Sequence, residues 1–244
     1  MASPRLLLLS NSRNVAQGYL EHAEPHLRAF LGGSVRRVLF VPYAAVRVSW
    51  DDFTDLMVAP RFRDMGYEVE PIHRCRSAKA AVRKAEAVVV GGGNTFQLLK
   101  RLHEKALVAA IRDRVRAGAP YIGWSAGANV ACPTMKTTND MPIVEPASLK
   151  ATGLVRFQIN PHYLDAHPQG HGGETREERL LEFIEANPGV YVVGLREGSI
   201  LRVEDGRVSL LGEKTARIFL RGTAPREVAP GEDLGFLARE ARRA

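Results

Sequence analysis

Apolar positions along the chain fall into two patterns. Short continuous runs rich in Leu, Val and Ile occupy residues 5–10, 38–41, 69–72, 87–90 and 121–124, each bounded by Gly, Pro or polar residues. Runs of that length with no alternation fit strands buried on both faces of a parallel sheet. Between them, residues 19–31, 50–65, 95–102 and 107–117 place apolar side chains at helical spacing, and Gly118 and Pro120 punctuate the end of the last stretch. Strands alternating with helices predict right-handed βαβ units, hence an α/β fold with a doubly wound, mostly parallel sheet flanked by helices.

After Cys132 the pattern loosens into TMKTTNDMPIVEPAS, which has two prolines and no clear period. Long loops of this kind in compact domains are often functional, so this one is a candidate site wall. Residues 154–159 predict another strand and 191–195 a further buried one; 175–187 predict a helix opening at Thr175, with Glu178 three residues later as in a capping box. Residues 200–204 and 207–211 flank Asp205-Gly206, a strong signal for a hairpin with a type I′ turn, and 215–220 are expected to add a third antiparallel strand at the sheet edge. With no internal repeat, linker or composition break, residues 1–244 are expected to form one domain.

Composition narrows the class. At 244 residues, 45% apolar and 25% charged, the chain has ample material for a core and none of the bias of a disordered or fibrous protein. The opening MASPRLLLLSNS has only four successive leucines, too few for a signal-peptide core or a membrane span, which points to a cytoplasmic protein with no membrane partner. Cys75 and Cys132 form neither a CxxC pair nor a disulfide framework and are expected to be reduced thiols, with no metal or cofactor implied. A net charge of +7 raises nucleic acid as a partner, but the 34 Lys and Arg are mixed with 27 acids along the chain, so none is expected. The excess suits a small anionic ligand equally well.

Candidate chemistry concentrates in two glycine-rich turns. GWSAG, residues 123–127, matches the nucleophile elbow G-x-S-x-G and sits between a buried strand and an expected helix at 126–131. Small residues around Ser125 would allow the tight bend that exposes its hydroxyl; the competing reading is a strand-to-helix turn with a capping serine. VVVGGGNT, residues 88–95, also runs from strand into helix, but the third glycine of a dinucleotide fingerprint would fall at Phe96. Its unshielded backbone N–H groups fit an oxyanion hole better, with Gly93 paired to the N–H of Ala126.

A serine nucleophile needs a base. Of His22, His26, His73, His103, His162, His167 and His171, the first two lie on an expected surface helix and His73 and His103 have ordinary surface readings, whereas His162, in INPHY, comes just after an expected strand with Pro161 stiffening the backbone, where open α/β sheets place their sites. A metal site from His162, His167 and His171 is the rival, although the spacing matches no standard zinc motif. Asp140, Asp165, Glu174 and Glu197 are all candidates for the acid that orients the imidazole, and position does not choose among them.

Taken in order, GGGNTFQLL, GWSAGAN, TTNDMPIV, NPHYLD and HGGETREER resemble the peptidase E family of α-aspartyl dipeptidases, from the first strand to the hairpin. The resemblance implies a serine exopeptidase with a fold like the class I glutamine amidotransferases, acting on a small peptide with N-terminal Asp as a monomer or homodimer. It makes Ser125 the nucleophile and His162 the base. Asp140 in TTNDMP is favoured as a required acid, with Glu197 in GLREGS the alternative partner of His162; the family more often has Pro before that Glu, where this chain has Arg196. It also places the aspartate pocket at HGGETRE, where the planar fork of Arg176 could grip a carboxylate and Glu174, Thr138 and Asn139 would line the same pocket. A related hydrolase of aspartate-rich polymer such as cyanophycin, and a non-catalytic module keeping the elbow shape, are the alternative functions.

Overall fold

All five apolar runs become parallel strands in the computed structural model, which describes residues 3–165, 170 and 172–238. They are β1 (Leu6–Leu9), β2 (Arg37–Val41), β3 (Glu68–Pro71), β4 (Ala87–Val90) and β5 (Tyr121–Trp124). Further along come β6 (Gln158–Pro161), β7 (Val192–Leu195), β8 (Ile200–Glu204), β9 (Arg207–Leu211), β10 (Ala216–Phe219) and β11 (Arg226–Val228). The main sheet has the order β3-β2-β4-β5-β1-β8-β9, with only β8 and β9 antiparallel.

Burial on both faces explains the unbroken apolar runs. Leu6, Leu8, Val88 and Val90 pack into the core on one side of the sheet, while Leu7, Leu9, Val89 and Trp124 pack into the core on the other. Each strand therefore contributes to two layers of helices. The Asp205-Gly206 hairpin is present, with φ of 52° and 73° at the two turn residues as a type I′ turn requires.

A second sheet, of order β11-β10-β7-β6, was not expected. Residues 215–220 do not extend the edge of the main sheet: β10 pairs antiparallel with β7, placing Ala216 opposite Leu195. The expected strand at 154–159 is also displaced. The strand itself is Gln158–Pro161, whereas Leu154 and Val155 turn so that both N–H groups meet the carbonyl of Ala131, at 2.8 and 3.2 Å. Apolarity at 154–157 thus reports burial of a turn, and the polar residues Gln158 and Asn160 are buried in the strand.

The helices contain two other departures. Residues 50–64 are helical, but Phe53–Val58 is a π-helical segment between Trp50–Asp52 and Ala59–Asp64. A helix at Ala78–Lys84, capped by the Ser77 hydroxyl, lies between β3 and β4, where no helix was expected. The Thr175 capping box is formed as expected, its hydroxyl accepting from Glu178 N–H and the Glu178 carboxylate accepting from Thr175 N–H, and it opens the helix Arg176–Ala186. That helix connects the parallel pair β6 and β7, burying Leu180 and Ile184 against Tyr163, Val192 and Phe219.

The sheets meet at the carboxyl ends of β1, β6 and β7. Ser10 N–H donates to Ser199 O at 3.1 Å, Tyr163 N–H to Leu195 O at 3.1 Å, and the Ser10 hydroxyl donates to Leu195 O at 2.7 Å. No helix among the described residues is long and apolar enough to cross a membrane.

Candidate active site

At the end of β5 the chain reverses sharply into the short helix Ala126–Asn129. Ser125, at the bend, has φ 52° and ψ −112°, a conformation that L residues avoid unless the surroundings impose it. The two motif glycines show what imposes it. A Cβ on Gly127 would lie 2.2 Å from Val90 O, and one on Gly123 would lie 2.4 Å from Gly127 O, so helix and strands are in backbone contact. The Ser125 N–H is held by Leu9 O at 3.0 Å. Although Ser125 occupies the N-cap position, its side chain makes no capping bond. The hydroxyl lies 2.9 Å from His162 Nε2 instead, which disposes of the capping-serine reading.

His162 follows β6 directly and also has a left-handed backbone, at φ 53°. Its N–H donates to the hydroxyl of Ser10 at 2.8 Å, and its Nδ1 lies 2.6 Å from Glu197 Oε1. Glu197 is therefore the acid that faces the imidazole. Its turn is anchored by Arg196, which forks onto Asp165 at 2.6 and 2.7 Å and onto Glu227 at 2.8 and 2.9 Å. Those hydrogen bonds from Arg196 hold the Glu227 carboxyl down to about 2. Arg196 thus supports the turn that carries Glu197.

Asp140, favoured from the sequence as the required acid, does not meet His162. Its Oδ2 accepts from Thr95 N–H at 2.7 Å, from Thr95 Oγ1 at 2.5 Å and from Thr138 Oγ1 at 3.0 Å, at the first turn of the helix Thr95–Glu104. There a carboxylate satisfies an orphan N–H and opposes the positive end of the helix dipole. Asp140 so clamps the glycine turn to the TTND loop. Asn139 ties the same loop to the strand before His162, donating to Pro161 O at 2.6 Å and accepting from Asn160 Nδ2 at 2.5 Å. The side chains of Thr138 and Asn139 are accordingly engaged within the protein.

The glycine turn passes close over the elbow. A Cβ on Gly92 would lie 3.1 Å from Ser125 Cβ, and Gly93, at φ 136°, would place one 2.3 Å from Ala44 O. Only glycine fits at residue 93. A cavity of about 300 Å³ opens at Ser125, lined by Gly92, Gly93 and His162 on one side and by Tyr19, Phe53, Met57 and Trp124 on another. Phe53 and Met57, both in the π-helical segment, were invisible as site residues in the sequence, because nothing in the apolar periodicity distinguishes them from core.

Arg176 is half-buried at the start of its helix and makes no ion pair among the described residues. Burial, reinforced by neighbouring Arg179, lowers its pKa from the usual arginine value. Glu174 is exposed and lies 3.7 Å from Arg179 Nε. His167 and His171, of the metal alternative, fall outside the described residues; among the described residues no group of three His, Cys, Asp or Glu is placed to hold a metal ion. Both cysteines are free thiols.

A serine, an imidazole and a carboxylate stand in hydrogen-bonded series at the ends of strands, an arrangement with the groups that acyl transfer requires. The model of peptidase family S51 matches residues 6–211. The chain is 50% identical over 239 residues to Peptidase E of Nostoc sp., covering 98% of each chain, and 53% identical over 233 residues to Peptidase E of Streptomyces coelicolor, covering 95% of this chain and 94% of the relative. Two solved structures share the fold. A putative peptidase E protein from Listeria monocytogenes matches with a TM-score of 0.62 at 22% identity, covering 86% of this chain and 99% of that one. A peptidase from an acI-B1 Actinobacterium matches with a TM-score of 0.71 at 17% identity, covering 96% and 97%. The chain belongs to peptidase family S51.

The contact geometry at the elbow makes a prediction about stability. Gly127→Ala should lower the unfolding free energy by about 2 kcal/mol or more, because the added methyl meets a backbone carbonyl that cannot yield like a side chain. Urea unfolding checks this; an unchanged midpoint would show that helix and strand can separate freely.

Proposed function

We propose that this chain is a serine-type dipeptidase that releases aspartate from Asp-X dipeptides. The observation that carries the reading is the series Ser125 Oγ, His162 Nε2, His162 Nδ1 and Glu197 Oε1, with contacts of 2.9 and 2.6 Å. The relatives named Peptidase E support it at high identity over nearly the whole chain.

In this mechanism Ser125 Oγ attacks the aspartyl carbonyl carbon while its proton passes to His162 Nε2. Glu197 accepts a hydrogen bond from Nδ1–H, so the imidazole keeps the tautomer with a free Nε2 lone pair and its cation is stabilised once formed. The N–H groups of Gly93 and Ala126 serve the oxyanion. Collapse of the tetrahedral intermediate breaks the C–N bond, the amine leaves with the proton from His162, and a water activated by the same imidazole then cleaves the acyl-serine. Asp140 contributes by holding Thr95, and with it the glycine turn, in place.

Selectivity is assigned to Arg176. A half-buried guanidinium without a carboxylate among the described residues suits the β-carboxylate of the substrate, which can accept two parallel hydrogen bonds. Glu174, Thr138 and Asn139 remain secondary candidates for this pocket, and the internal bonds of the last two favour a supporting part.

Ser125→Ala should lower kcat on Asp-Leu by at least about 10⁴-fold, the scale on which such series act as a unit. Retained turnover in the purified variant would remove serine as the nucleophile. In the wild type, Asp-Leu should be cleaved about 10²-fold or more faster than Asn-Leu, and Arg176→Met should erase that preference. Equal rates on the two dipeptides would exclude Arg176 from carboxylate selection; rapid turnover of aspartate-rich polymer with none of Asp-Leu would instead indicate a polymer hydrolase.

A further inference from the structure

Ser10 lies outside every motif that marks the site, yet it touches both halves of it. The residue is fully buried immediately after β1. Its hydroxyl accepts the His162 N–H at 2.8 Å and donates to Leu195 O at 2.7 Å. Its own N–H donates to Ser199 O at 3.1 Å. The two flanking residues complete the series, because Leu9 O accepts the Ser125 N–H at 3.0 Å and Asn11 Oδ1 accepts the Gly198 N–H at 2.8 Å. Three consecutive residues thus hold the backbones that carry the serine, the imidazole and the carboxylate.

The contact with His162 has a particular consequence. A histidine at φ 53° sits in a sparsely populated conformation and stays there only when its surroundings over-determine it. Its N–H is one of the groups that would be left without this partner if the hydroxyl were removed, and an unmatched, part-buried N–H favours relaxation of the backbone. Relaxation toward ordinary φ would swing the ring off the Ser125 hydroxyl. We propose that Ser10 is a positioning residue for the general base: its hydroxyl fixes the left-handed backbone of His162, and thereby the 2.9 Å contact between Nε2 and Ser125 Oγ. The inference rests on the serine-type reading above.

The test measures kcat and KM on Asp-Leu, and the rate at which a fluorophosphonate phosphonylates Ser125 Oγ with loss of fluoride, which needs the base but no particular substrate. Ser10→Ala should lower kcat and the phosphonylation rate by about 10²-fold, as expected for a base displaced by about 1 Å, with KM within about threefold of wild type. Thr152→Val, which removes another buried hydroxyl bond, to Val130 O, controls for general loosening and should leave both rates near wild type. Ser10→Thr and Ser10→Val have the same shape and differ in the hydroxyl, so Thr should exceed Val by about tenfold or more even if Ser10→Ala folds poorly. Ser10→Ala within about threefold of wild type, equal rates for Thr and Val, or an equal loss in Thr152→Val would overturn the proposal. An unlabelled wild type or a fully active Ser125→Ala would overturn the serine-type reading itself. Labelled but Asp-Leu-inert wild type would overturn only the substrate, leaving the phosphonylation rates to decide on Ser10.

Discussion

Hydrogen bonding at the end of β1 joins the backbones that carry Ser125, His162 and Glu197. Ser125 stands on the main sheet, His162 follows β6 of the second sheet, and Glu197 lies in the turn between β7 of the second sheet and β8 of the main one. Packing alone would tolerate small slips between two such layers. Directional bonds from Leu9, Ser10 and Asn11 do not, because each fixes a distance and an angle to a specific backbone group. The 2.9 Å contact between Ser125 Oγ and His162 Nε2, 37 positions apart in the chain, spans that seam.

Strain follows from the same constraint. Ser125 and His162 both occupy the left-handed region, at φ 52° and 53°, where non-glycine residues are disfavoured. The first is held by backbone contact between Gly127 and Val90 and the second by the hydroxyl of Ser10. Around them, Asp140 on Thr95 and Arg196 on Asp165 and Glu227 tie down the loops that have no sheet partners. Polar groups with fixed geometry are concentrated where the chemistry is proposed, and the apolar layers behind them supply rigidity.

Much of this was legible in the sequence because it is local. Unbroken Val and Leu runs announce strands buried on both faces, Asp205-Gly206 announces its turn, and GWSAG between strand and helix announces an exposed serine. Pairing between distant strands is not local, so the apolar run at 215–220 could not reveal that its partner is β7, nor could the run at 154–157 show that it buries a turn. Which of Asp140 and Glu197 faces His162 stayed open for a related reason. Each carboxylate lies in a loop, Asp140 after the helix Ala126–Asn129 and Glu197 after β7, and only the fold shows that one meets the first turn of a helix while the other meets the imidazole. Ser10, in an ordinary strand-end sequence, carried no signal at all.

The claim that His162 and Glu197 act as one unit is tested most directly by a double-mutant cycle in hydrolysis. Glu197 is taken to work only through the imidazole, so the account predicts that His162→Ala combined with Glu197→Gln is no slower than His162→Ala alone, although Glu197→Gln by itself costs about 10²-fold or more in kcat. Losses that multiply, with the double variant slower by the full Glu197→Gln factor, would contradict it and assign Glu197 a part in the reaction independent of His162.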